Sequence, residues 1–304
     1  MWSALMLLVT ALFPYHVLRI MKHMLQVDGF SRWQRTKIWA KGLWWLYKPG
    51  GIFMPMMGKY FSYLKPNFHP WQEPVVPSYE PWLRLLKETG NRHGLNVVCM
   101  AKPLAGQPGS SMHLHQSLVD RDGSNVFSDR HGNESALFHH FIAGLQTHLP
   151  KLMPLFCPSP NSYRRFVKGL AAPVNVSWGL DNRSVGLRIP QGGPEARRVE
   201  NRLPGCDANP YLSLAASLGA GLLGIEDGLQ PSAPAQGNVF KQADSELLPN
   251  TLDAALAAMQ GADSVSRLFG EAFSLAYAAV KEVELQHFHG EITPWERRYL
   301  SLLA

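Results

Sequence analysis

The chain has 304 residues, 46% of them hydrophobic, which suffices for the core of one large domain and a further segment. Its net charge of +6 is unevenly spread: residues 1–72 hold nine Lys and Arg against the single acid Asp28, leaving 20 bases and 22 acids for the rest. The basic excess therefore belongs to a leader, and because its charges form no recognised module, no nucleic-acid partner is expected. The three cysteines, Cys99, Cys157 and Cys206, lack metal-ligand spacing, and their odd number argues against a disulfide framework; a reducing, cytoplasmic setting is expected.

In chain order, the leader comes first and carries six of the nine tryptophans. The apolar run Met1 to Phe13 is thirteen residues long, too short to span a bilayer, and Pro14 follows it. Arg32 to Tyr47, with Ser31 as N-cap, reads as a helix mixing tryptophan with Lys and Arg. A packed helical segment is the favoured reading, and contact with a membrane surface the less favoured one. This leader is weakly similar to the C-terminal helical part of predicted metal-dependent hydrolases, but it carries no Glu-x-x-His ligand motif. The Pro-rich stretch from Pro66 to Pro81 marks the boundary to a second region spanning residues 79–304.

That region predicts an α+β fold, an antiparallel sheet with packed helices. Pro81 to His93 reads as a helix and Leu95 to Ala101 as a buried strand. Gly106 to Ser111 is a loop, Met112 to Leu118 a strand, and Asp120 to Ser124 a hairpin turn. Asn133 begins a long helix, Glu134 to Phe156, that Pro150 should end or bend. Strands are expected over Ala172 to Gly179, Ser184 to Ile189 and Ala196 to Arg202. Asn209 and Pro210 open an apolar helix to Ile225, and a Pro- and Gln-rich loop runs from Gln230 to Asn250. Helices follow over Thr251 to Gln260, Ser264 to Phe288 and after Thr293.

Two strand motifs carry the chemistry. Side chains alternate along a strand, so Arg198, Glu200 and Arg202 share one face, as do His113 and His115. Either motif alone also suits a solvated, salt-bridged face. Together with the arginines between Arg164 and Arg202, they suit a polyanion: guanidiniums grip planar oxyanions bidentately, while Glu and His hold a divalent ion between phosphates.

The segments Gly109-Ser110-Ser111-Met112-His113-Leu114-His115-Gln116-Ser117-Leu118, Asn161-Ser162-Tyr163-Arg164-Arg165, Asp181-Asn182-Arg183-Ser184, Ala196 to Pro204 and Asn209-Pro210-Tyr211-Leu212 carry a resemblance. In order and spacing, the stretch from Tyr79 to the C-terminus resembles the C-terminal catalytic region of the glutamine synthetase family. It looks closest to the branch that joins glutamate to polyamines. The resemblance implies that ATP and Mg2+ (or Mn2+) are used to phosphorylate the glutamate side chain, and that an amine attacks the acyl phosphate. It implies that His113 and Glu200 bind metal, and that His115, Ser117, Arg188 and Arg198 contact ATP. Gly109, Arg165 and Arg202 would hold glutamate, and Arg183 would stabilise the transferring phosphoryl group. It further implies homo-oligomeric rings with sites shared between neighbours.

Departures from the family pattern bear on the substrate. Ala171 stands where ammonia-using members carry a glutamate, which favours a larger amine. Ser111 replaces a common glycine, Pro108 a common asparagine, and Glu195 a frequent basic residue. The family's other metal carboxylates lie on strands ahead of the helix near Pro81, and its β-grasp domain lies further upstream. Neither is expected in residues 1–78, and Glu282 and Glu284, two apart on a helix, point different ways. The metal set is expected to be incomplete.

Overall fold

The computed structural model describes residues 79–167, 172–241 and 248–303. The expectations for the leader, for Ala171 and for the middle of the Gln230–Asn250 loop lie outside those residues. The chain divides into two units, residues 1–97 and 98–304. The described part of the first unit is helix α1 (Tyr79–Arg92) and the turn after it, in which Gly94 takes a left-handed φ of 67°. No helix among the described residues is long and apolar enough to cross a membrane.

Residues 95–100 are not the expected buried strand. They pair with no strand among the described residues, and Leu95, Val98 and Met100 are exposed. A short apolar run fixes neither pairing nor burial by itself.

The core of the second unit is built on α2 (Ala136–Phe156) and α4 (Pro210–Glu226), with the short helix α3 (Pro160–Tyr163) between them in sequence. The two long helices meet at glycines. A Cβ on Gly144 would lie 2.3 Å from the Ala220 carbonyl oxygen, and one on Gly224 would lie 2.2 Å from that of His140. The N-cap of α2 is Ser135, not Asn133: its Oγ accepts from Phe138 N at 3.2 Å and donates to Val126 O at 2.6 Å. Pro150 does not end the helix, which runs through Pro150 and Pro154 to Phe156. The fully buried Leu149, Leu152 and Met153 on this stretch offset the hydrogen bonds the prolines remove. Ser135→Ala should lower stability by about 1 kcal/mol, the usual value of an N-cap, as read from the urea midpoint.

The sheet has four short strands, β1 (Leu114–Gln116), β2 (Trp178–Leu180), β3 (Leu187–Ile189) and β4 (Val199–Asn201), in the order β1-β4-β3-β2. β4 runs antiparallel to both neighbours, as expected, whereas β2 and β3 are parallel. Their six-residue connection is shorter than the dozen or so residues of an ordinary parallel crossover. Asp181 at φ 44° permits the turn, and so does Gly186, where a Cβ would meet Asn175 O at 2.2 Å.

The C-terminal part is helical: α5 (Leu252–Met259), α6 (Asp263–Phe269), α7 (Glu271–Gly290) and α8 (Pro294–Leu300). The single helix expected from Ser264 to Phe288 is broken at Gly270, whose φ of 82° leaves the right-handed helical region. Tyr277 on α7 donates its hydroxyl to Pro154 O at 2.7 Å, tying this part to α2.

Candidate active site

Sheet register assembles the centre. His115 on β1, Glu200 on β4 and Arg188 on β3 lie opposite one another in one row across three strands. Glu200 is 3% exposed, and each of its oxygens is engaged. Oε1 lies 2.9 Å from His113 Nδ1 and 3.4 Å from Arg202 Nε, and Oε2 accepts from Arg188 Nη1 at 2.6 Å. Two residues before Glu200, Arg198 donates Nε to His115 Nδ1 at 3.2 Å. His113, His115, Arg198, Glu200 and Arg202 therefore share a face, which is what the two-residue period of a strand demands.

Burial sets the protonation here. It pulls His113 below its usual pKa, outweighing the pull of Glu200, while Arg202, Arg165 and His115 push the same way as burial. The lowering favours the neutral imidazole, the form that can ligate a cation. The guanidinium of Arg202 is likewise lowered by burial, and its Nη1 donates to the carbonyl oxygens of Arg183 and Val185.

A second wall lies beside this row. Arg165, two residues past α3, is 2% exposed. It donates to Ser111 Oγ at 2.8 Å and to Leu203 O, and it lies 3.7 Å from Cys157 Sγ. Among the described residues no carboxylate pairs with it, and its Nε has no hydrogen-bond partner. A buried guanidinium held only by neutral groups is costly unless an anion joins it. Cys157 is no nucleophile: burial pushes its thiol up to about 12. Gly109 packs on Arg165, where a Cβ would stand 2.7 Å from Cγ and 2.8 Å from Ala101 O.

Arg183 is exposed on the β2–β3 connection, and its positive charge reaches Arg202. Ser117 is exposed just past β1, two residues from His115. Asp181, to which the sequence assigned no role, accepts from Arg188 Nε at 3.1 Å and from Nη2. Ser111, Asn161 and Asp207 were not assigned as supports of the wall; Ser111 carried a signal as a departure from a common glycine and Asn161 as the first residue of a quoted motif, while Asp207 carried none. Two histidines and two glutamates outside this cluster have their own partners. His140 Nδ1 meets Leu229 O, His289 meets Asp253, Glu282 accepts from Gln260 and Glu284 pairs with Lys281.

Residues 83–300 match the glutamine synthetase catalytic domain, and the chain belongs to the glutamine synthetase family. Over 217 residues it is 38% identical to gamma-glutamylputrescine synthetase of Escherichia coli (strain K12), covering 71% of this chain and 46% of that protein. Over 223 residues it is 37% identical to glutamate–isopropylamine ligase of a Pseudomonas species, covering 72% of this chain and 49% of that protein. An apo structure of GmaS superposes with a TM-score of 0.66 at 33% identity, covering 73% of this chain and 52% of GmaS. A GmaS/ADP complex gives 0.63 at the same identity, covering 70% and 50%. The chain spans about half the length of the relatives it matches.

Proposed function

We propose that this chain carries the centre of an ATP-dependent ligase that joins the side-chain carboxylate of glutamate, through an acyl phosphate, to an amine larger than ammonia. The observation that carries this reading is the buried Glu200 carboxylate held among His113, Arg188 and Arg202. The preference for a larger amine rests on the relatives named for putrescine and isopropylamine, and on Ala171 in place of a carboxylate. Glutamate would be held by Arg165, Arg202 and the backbone at Gly109. The phosphates of ATP would meet Arg188 and Arg198, with His115 and Ser117 beside the nucleotide; the likeness to GmaS solved with ADP supports this arrangement.

A divalent ion, magnesium or manganese, fits His113 and Glu200, because a neutral imidazole nitrogen and a carboxylate oxygen converge at 2.9 Å. Among the described residues no group of three or more His, Cys, Asp or Glu gathers for a metal, so phosphate, water or other residues would complete its shell. When bound, the ion supplies positive charge against the phosphates. Arg183, free of any carboxylate among the described residues, would add charge as the phosphoryl group transfers. A cytoplasmic setting and a homo-oligomer belong to the same proposal.

The test is phosphate release by the purified chain with magnesium, ATP, glutamate and a panel of amines including putrescine and ammonia. Amine-dependent release is expected, and Arg183→Ala should reduce it by about a hundredfold or more, as expected when one transition-state contact is lost. A second reading, a relative that binds nucleotide without turnover, is favoured by Glu200, whose two oxygens are already taken by His113 and arginines. Nucleotide binding with no amine-dependent release would select it.

A further inference from the structure

Three segments supply the proposed glutamate contacts: the loop from Lys102 to Gly109, the end of α3 with Arg165, and the strand end with Arg202. Two polar clamps join them. In the first, Asn161 on α3 pairs with both backbone groups of Lys102. Its Oδ1 accepts from Lys102 N at 2.9 Å, and its Nδ2 donates to Lys102 O at 3.0 Å. The side-chain amide thereby imitates one rung of a β-ladder across 59 residues of sequence.

The second clamp fixes the helix that presents Asn161. Ser159 and Ser162 form a capping box around α3, and both hydroxyls donate to Asp207 Oδ2, at 2.9 and 2.6 Å. Asp207 lies in the loop that follows Arg202, Leu203 and Pro204. The remaining joints are backbone: Ser110 N donates to Ala101 O at 2.8 Å, and Met112 N donates to Pro204 O at 3.0 Å. With Arg165 donating to Ser111 Oγ, the ring of segments is closed.

Resting on the proposed glutamate site, we propose that Asn161 is a positioning residue for glutamate: its amide holds the Lys102–Gly109 loop against Arg165. Only an amide of this length satisfies both groups of Lys102, since a carboxylate lacks the donor and an alkyl group lacks both functions. The effect falls on glutamate and spares the nucleotide, because no proposed ATP contact lies on the clamped loop or on α3.

Calorimetric titration of the full chain with ATP and with glutamate tests this in the wild type, Asn161→Asp and Asn161→Ala. Asn161→Asp keeps the shape and loses one donor. It should weaken glutamate binding about tenfold, with ATP affinity within about twofold and the melting temperature little changed. Asn161→Ala should weaken glutamate further in the same selective manner. Unchanged glutamate affinity in both variants overturns the assignment, as does parallel loss of glutamate, ATP and thermal stability, or failure of both variants to fold. A wild type that binds ATP but no glutamate overturns the reading of the site itself, and the assignment with it.

Discussion

Glu200→Ala is expected to destabilise the protein by about 3 kcal/mol, among the larger single-residue effects in the chain. The carboxylate lies between the guanidiniums of Arg188 and Arg202, whose side chains are 18% and 7% exposed, and against the His113 ring. Truncation removes a carboxylate from both guanidiniums, leaving Arg188 with Asp181, and removal of one partner of a buried pair is where such pairs weigh most. The isosteric Glu200→Gln keeps volume and one hydrogen-bond acceptor, so it separates folding from chemistry. It should retain most of the stability yet lower magnesium-dependent turnover by about a hundredfold or more, since the carboxylate proposed to hold the ion has become a neutral amide. Urea midpoints and turnover as a function of magnesium check both. A Glu200→Ala midpoint equal to that of the wild type would mean that Arg183 and Val185, which accept from Arg202, already hold the site without the acid.

How the sequence could point to this centre follows from where its information lies. A strand has a period of two, so the shared face of His113 with His115, and of Arg198 with Glu200 and Arg202, is set within five residues. The cap at Asn209 is equally local, and it accepts from the backbone amides of Tyr211 and Leu212. What the sequence did not disclose is pairing at a distance. The β2–β3 contact is parallel because Asp181 and Gly186 bend a short connection, which no hydrophobic pattern encodes. The stretch from Leu95 looks like a strand and has no partner among the described residues. The helix expected from Ser264 to Phe288 is broken at Gly270 by a left-handed φ of 82°, a backbone choice that the residues on either side do not dictate. Asn161 stood within a recognised motif, yet its function depends on Lys102, 59 residues away.

The site also depends on a helix crossing that bears no catalytic group. Gly224→Ala should cost about 3 kcal/mol, at the upper end of overpacking in a well-filled core. Its new methyl would stand 2.2 Å from His140 O and 2.5 Å from both Cα and N of Gly144. Those are backbone atoms of α2, so no side chain can swing aside and the helices must part. Parting exposes Phe141, Leu145, Ala216 and Ala220, all fully buried at this crossing. The displacement also reaches the sheet. Ser217 on α4 accepts from Gln116 Nε2 at 2.7 Å and from Asn201 Nδ2 at 2.9 Å, and these two residues are the strand neighbours of His115 and Glu200. Turnover should therefore fall along with stability, although Gly224 touches nothing in the active site. Gly290→Ala is the control: a Cβ there would meet no atom within 4 Å and the φ is not left-handed, so the change should be neutral or slightly stabilising. Chemical denaturation of the two variants beside the wild type decides the matter. Equal midpoints for Gly224→Ala and Gly290→Ala would mean that the crossing of α2 and α4 is loose enough to take a methyl group, and that the sheet does not depend on its tightness.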